Sequence, residues 1–312
     1  MSSFLHHLSL AAPLYILVLI GFALARWRSW PRAVSGVLSR FVFTIALPAF
    51  LFGMMSDFSQ LPPVDARLLI AYFGGCLIVF VLGRILGRYL FRLDGVSQSV
   101  FALGGVFSNN VLLGVPLAKS ILGDAAVPSV ALVLVFNALT LWMLVTVSVE
   151  WARHGSFSLA GFTKTAKSVL TNPIVASILS GVLFGALGLT LPGLIQTPLS
   201  MLGQVASPLS LVVVGIGLAD YGIRAGWLQS LAICLLKLVL LPFAVWCLAI
   251  ALALPPLETQ VIVLLSSLGV GVNVYLMSRQ FNTMETPVAA SMLLSTAMSG
   301  ITTPLILSLL GS

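Results

Sequence analysis

Asn109 and Asn110 interrupt a largely apolar run from Gly104 to Leu117, with Gly114 and Pro116 close behind them. A second interruption, Asn273, follows Gly269-Val270-Gly271-Val272 near the other end of the chain. Polar groups and chain breakers at membrane depth are tolerated only where protein or a water-filled cavity surrounds them. The chemistry expected there is binding rather than bond-making. A helix broken midway exposes N–H groups at one half's N-terminus, which favour an anion, and carbonyls at the other half's C-terminus, which favour a cation. Asparagine both donates and accepts, so it can serve a ligand or the exposed backbone. Bracing of the breaks is the alternative, and the two roles can coexist. The breaks also differ: Pro116 follows the first, whereas Gly269 and Gly271 would supply flexibility at the second.

Lys237 lies ten residues into an apolar stretch, a depth of roughly 15 Å along a helix. A charge inside a span is costly and marks a functional site by default. It would serve as counter-charge for an anion or as partner of a helix C-terminus near the crossing; the alternative is a lysine snorkelling to the interface, which that depth makes awkward. Asp57 and Asp220 end two apolar stretches and are candidates for gating or coupling, against the commoner solvated helix end. Gln204, near Pro208, belongs with them. Asn137 and Thr140, with Ser291, Ser295, Thr296, Ser299, Thr302 and Thr303, would line a cavity or hydrogen-bond between helices.

Other chemistries find no support. G-x-S-x-G, H-E-x-x-H and G-x-x-x-x-G-K-[ST] are all missing, and His154 stands alone. No intramembrane nucleophile–base pair can be assembled, so an enzyme is not expected, and neither is a cofactor or a metal. Without an ATPase domain, energy must come from a gradient or from the substrate itself. No Asp or Glu lies at mid-membrane near either break, which argues against sodium–proton antiport.

The elements that must position these residues are membrane helices. The chain has 312 residues, of which 59% are hydrophobic and 7% charged, against about 25% charged in soluble domains. Its mean hydropathy is +1.14. About ten segments reach the roughly 20 apolar residues a span needs: 8–26, 33–55, 66–91, 96–122, 126–150, 168–190, 197–220, 227–253, 258–281 and 286–310. The first reads as an uncleaved span, because Arg26, Arg28 and Arg32 follow its apolar run rather than precede it. Cys76, Cys234 and Cys247 show no metal or redox spacing and are expected as buried packing residues.

Twelve of the 15 basic residues fall in or beside the odd-numbered loops, Arg67 and Lys119 beside even ones, and Lys237 inside a span. The positive-inside rule then puts the odd loops in the cytoplasm and both termini outside. The net charge of +7 is a topology signal rather than a nucleic-acid face. Three anchors recur at nearly constant offset: Pro48 with Pro208, Asn110 with Asn273, and Pro128 with Pro287, at 160, 163 and 159 residues. Five spans per repeat force the halves to run in opposite directions, the inverted plan of secondary transporters. The expected units are a first repeat over 1–150, a loop over 151–167 and a second repeat over 168–312.

The string Ser108-Asn109-Asn110-Val111-Leu112-Leu113-Gly114-Val115-Pro116-Leu117, with Asn273-Val274-Tyr275-Leu276-Met277-Ser278-Arg279 and Leu47-Pro48-Ala49-Phe50, resembles the auxin efflux carrier family of membrane transporters. The resemblance extends over essentially the whole chain. It implies an all-α fold of ten helices in two inverted five-helix repeats, with broken spans four and nine crossing near the bilayer centre. It also implies a small organic anion as substrate, auxin in the plant branch and malonate or malate among bacterial members. Elevator-like movement of spans three to five and eight to ten against spans one, two, six and seven follows from the same likeness. Relatives often place a proline before the second asparagine, and plant carriers carry a long hydrophilic fifth loop. This chain has neither, and its short fifth loop marks a bacterial-type member.

The leading expectation is a secondary transporter or facilitative carrier of a small carboxylate in the cell (inner) membrane. The anion would be held near Asn109, Asn110, Asn273 and Asn137, at the breaks shaped by Pro116, Gly269 and Gly271, with Lys237 or a half-helix N-terminus supplying positive potential. A ligand-binding sensor of the same fold and a sodium-coupled symporter of a bile-acid-like anion are the alternatives. Expected partners are the anion and membrane lipid, with the scaffold helices as the surface for a homodimer. Sodium, proton or no coupling stays open.

Overall fold

The computed structural model describes residues 2–27, 32–56, 64–154, 171, 173–219 and 226–310. Asp57, Asp220 and most of the fifth loop lie outside the described residues. In chain order the helices are α1 (Ser2–Arg26), α2 (Arg32–Phe41), α3 (Leu47–Ser56), α4 (Arg67–Tyr89), α5 (Gly95–Val106), α6 (Val115–Leu122) and α7 (Val127–His154). They continue with α8 (Pro173–Ala186), α9 (Gly193–Ala219), α10 (Trp227–Leu235), α11 (Leu241–Ala251), α12 (Pro256–Ser267), α13 (Val272–Gln280) and α14 (Glu285–Leu310). Six described stretches are long and apolar enough to cross a membrane: Phe4–Arg26, Arg67–Tyr89, Asp124–Arg153, Gly193–Ala219, Trp227–Ala251 and Glu285–Leu310. Thr44–Gly53, Gly95–Val106 and Asn110–Leu122 are shorter apolar helices.

Proline spacing explains three local widenings. Each π-helical turn among the described residues, Val42–Ala46, Asn110–Gly114 and Leu236–Leu240, ends two residues before a proline: Pro48, Pro116 and Pro242. A helical proline has no N–H for the carbonyl four residues back, and its ring crowds that carbonyl. Inserting a wider turn lets the backbone pass the ring without breaking. The widened bonds run from Leu47 to Val42, from Val115 to Asn110 and from Leu241 to Leu236. At the second widening, the Leu112 carbonyl orphaned by Pro116 accepts the Ser210 hydroxyl of α9 at 3.2 Å.

The helices pack as two groups. In one, α1 lies along α9, and α3 packs against α8 and α9. In the other, α4 packs on α5 and α11, α5 on α7, α11 on α12, and α10 on α14. Contacts of α1 with α6 and α14, and of α9 with the Asn110–Gly114 turn, join the groups. The outward faces of α4 and α11 are apolar: Leu77, Ile78 and Val81 on one, Phe243, Trp246 and Ile250 on the other, are all exposed. Such a surface suits lipid rather than water. Cys76 and Cys234 are buried as expected, but Cys247 is exposed, which corrects the expectation for that residue: in a lipid-facing helix an apolar position need not be an interior one.

Candidate functional site

Both interruptions are true helix breaks, and they meet. Helix α5 stops at Val106, and the chain runs extended through Phe107 before restarting in the Asn110–Gly114 turn. Helix α12 stops at Ser267, and residues 268–271 run extended into α13. The two extended pieces pair antiparallel at Ser108 and Val270. The Asn109 N–H donates to the Gly269 carbonyl at 3.0 Å, and the Gly271 N–H donates to the Phe107 carbonyl at 2.8 Å. Backbone groups that lost their helical partners thus satisfy each other, as a buried break requires.

The glycines at the second break act through size rather than flexibility. Gly271 has φ −76° and ψ 150°, a conformation open to any residue. A Cβ there would lie 2.9 Å from the Ser108 carbonyl oxygen, and one at Gly269 would lie 2.8 Å from both the Thr296 N and Oγ1 atoms. Glycine at both positions lets the second break press against the first on one side and against α14 on the other.

Asn110 is buried, and its Nδ2 donates to Tyr72 Oη at 2.8 Å and to Asn137 Oδ1 at 3.3 Å. Its two donors are therefore engaged with α4 and α7, while Oδ1 is buried without a partner. Ser108 Oγ is likewise buried, close to the Tyr72 hydroxyl. Asn109, also buried, accepts the Leu113 and Gly114 N–H groups on its backbone carbonyl, both at 3.1 Å. Asn273 occupies the first turn of α13 and is partly exposed. Neither the Asn109 nor the Asn273 carboxamide has a hydrogen-bond partner among the described residues. The two restarting helix ends, at Asn110 and Val272, lack side-chain caps, so their first N–H groups keep the partial positive charge of a helix N-terminus.

Lys237 is fully buried in the Leu236–Leu240 turn, and its Nζ donates to the Ser266 carbonyl in the last turn of α12. Snorkelling is thereby ruled out, and the lysine serves a helix C-terminus next to the second break. The hydroxyls of α14 mostly bond between or within helices. Ser295 Oγ accepts the Val270 N–H at 2.8 Å, Thr303 Oγ1 donates to the Ser267 carbonyl at 3.1 Å, and Ser299 meets Tyr15 of α1 at 2.8 Å.

A cavity of about 720 Å³ opens between the two helix groups. Its walls include Leu14, Phe50, Pro116, Lys119, Gln204 and Pro208. Pro116 and Gln204, both singled out from sequence, therefore face this space, which reaches α6 but is not lined by Asn109, Asn110 or Asn273. Lys119 and Asp124 also line it and pair at 3.2 Å. From sequence, Lys119 counts only among the charges beside even-numbered loops. Tyr72 was missed as well, although a lone tyrosine inside an apolar span signals a hydroxyl in need of a partner.

Comparison with known proteins shows the family. The family described as "Membrane transport protein" matches residues 7–156 and 157–307. The chain is similar to a Rhizobium meliloti protein named "Putative malonate transporter", with 27% identity over 97% of this chain and 95% of that protein. It is also similar to an uncharacterized transporter of Methanocaldococcus jannaschii, with 23% identity over 81% of this chain and 82% of the relative. The chain belongs to the membrane transport protein family, the auxin efflux carrier family that its motifs resemble, and is a multi-pass integral membrane protein.

Proposed function

We propose that the protein is a secondary transporter or facilitative carrier of a small organic anion, and that the paired breaks hold the substrate. One observation carries the reading. The bridge at Ser108 and Val270 draws two uncapped helix N-termini together with the unpartnered carboxamides of Asn109 and Asn273. Uncapped N–H groups and free amide donors suit a carboxylate. The printed name of the R. meliloti relative makes malonate the first substrate to try.

The short apolar helices complete a ten-span plan of two inverted repeats in this reading. Helices α2–α3, α5–α6, α8 and α12–α13 add four spans to the six long ones. The positive-inside bias places the odd loops in the cytoplasm, so the cavity beside Lys119 and Asp124 opens to the outside. Alternating access is elevator-like: α4–α7 with α10–α14 slide against α1–α3, α8 and α9. Support for this comes from the cavity, whose walls are drawn from both groups, and from their packing.

Purified protein in liposomes, assayed with radiolabelled malonate, malate and monocarboxylates, tests the reading. Uptake or exchange of one of these anions is expected in the wild type, with loss in Asn110→Ala despite a cooperative thermal unfolding transition. A folded wild type that moves none of these anions, or an Asn110→Ala variant that moves them as well as the wild type, would refute the site.

A further inference from the structure

Lys237 brings a buried amine to the crossing, and no carboxylate among the described residues answers it. The described acids are Asp65, Asp94, Asp124, Glu150, Glu258 and Glu285, all near helix ends or in loops. Asp65 pairs with Arg67, and Asp124 with Lys119. The ammonium instead donates to the Ser266 carbonyl, where α12 ends before the extended segment. Cys76 of α4 is the titratable neighbour close enough to interact with it.

A helix C-terminus carries a fraction of a negative charge, and its open carbonyls accept cations. That fraction offsets an ammonium only in part, and a buried unpaired charge is costly. Packing alone would favour an apolar side chain in the Leu236–Leu240 turn. An ammonium at this position is therefore left short of compensation beside the break that presents Asn273, and a bound carboxylate would supply the remainder.

We propose that Lys237 is a resident counter-cation of the crossing. Its ammonium caps α12 where an exchangeable metal cation would otherwise sit, and it supplies the positive charge against which a carboxylate is held. Substrate movement then requires neither sodium nor potassium. The substrate part rests on the anion-transport reading above, whereas the capping part does not.

Two measurements separate the parts. In liposomes, wild-type malonate uptake is expected to be equal with sodium, potassium or choline as the external cation. Lys237→Met, which keeps the length and removes the charge, is expected to lose roughly thirtyfold or more in uptake while its Tm holds or rises. Wild-type uptake that stops in choline overturns the proposal, and so does uptake retained in Lys237→Met. A lower Tm in both Lys237→Met and Lys237→Gln also overturns it, because the lysine would then be a structural brace. Without any substrate, methylammonium is expected to raise the Tm of Lys237→Ala by several degrees and to leave the wild type unmoved, with choline as the oversized control. No rise overturns the cap. A wild type that carries no anion while Lys237→Ala still takes up methylammonium defeats the transport reading alone.

Discussion

The two breaks solve one problem with different residues. At the first, a carboxamide network ties the restarting helix to its surroundings: Asn110 reaches Tyr72 and Asn137, and Pro116 imposes the wide turn that follows. At the second, the fit is steric and the helper groups come from other helices. Gly269 and Gly271 leave no room for a Cβ, Ser295 takes the Val270 N–H, and Lys237 caps the end of α12. Polar capacity is thus concentrated at the first break and charge at the second. A broken helix in lipid needs its backbone satisfied but is indifferent to the source, so the two sides can be satisfied by different residue types.

The sharpest way to break this contrast is Gly271→Val. Its branched side chain would meet the Ser108 carbonyl and Phe107, and overpacking of this kind costs about 1–3 kcal/mol. Both the thermal transition and transport are expected to fall. A variant of unchanged Tm would show that the two extended segments can part without loss.

Asn110→Ala probes the opposite side. It deprives Tyr72 and Asn137 of their shared partner, for about 1–3 kcal/mol, and transport is expected to fall by roughly tenfold to a hundredfold. Measured substrate affinity decides between ligand contact and bracing. A drop in Tm with affinity intact would make the first break as structural as the second.

Ser295→Ala removes the acceptor of the Val270 N–H, and an unpaired buried donor costs about 1–3 kcal/mol. Here Tm should fall and uptake should decline only a few fold, since the hydroxyl supports backbone. A larger effect on uptake than that of Asn110→Ala would invert the assignment of roles.

The smallest effect is expected at Asp94, which caps the start of α5 away from the crossing. Partial burial would raise its pKa, yet hydrogen bonds from the Ser97 side chain and from the Ser97 and Val96 N–H groups hold it below the ordinary 3.8. A lowered pKa means stability that is present above the unfolded value and lost as pH falls toward the folded one. Asp94→Ala is expected to cost about 1 kcal/mol at neutral pH and to flatten the acid limb of the Tm profile below about pH 5, leaving uptake unchanged.

Much of the fold is legible in the residues. Polarity in an apolar run has few solutions, so Asn109-Asn110 and Gly269 to Asn273 locate two helix breaks, and Pro116 foreshadows a turn that the structure widens. The purpose of the glycines is not legible. Their usual advantage is torsional, whereas here the neighbouring atoms of Ser108 and Thr296 exclude a Cβ, which depends on what packs there. The partner of Lys237 is not legible either, because a helix C-terminus, an anion and the membrane interface attract an ammonium alike.

By itself the sequence determined the membrane environment, the helical class, the family resemblance and the positions of both breaks, because burial in lipid penalises any unsatisfied polar group wherever the chain goes. Only the tertiary structure decided that Phe107–Asn109 pairs with Gly269–Gly271, that Tyr72 holds Asn110, and that Lys237 caps α12. These contacts join residues far apart in the chain. Which donor meets which acceptor across such a distance is set by helix packing, and a local pattern of residue types carries no record of it.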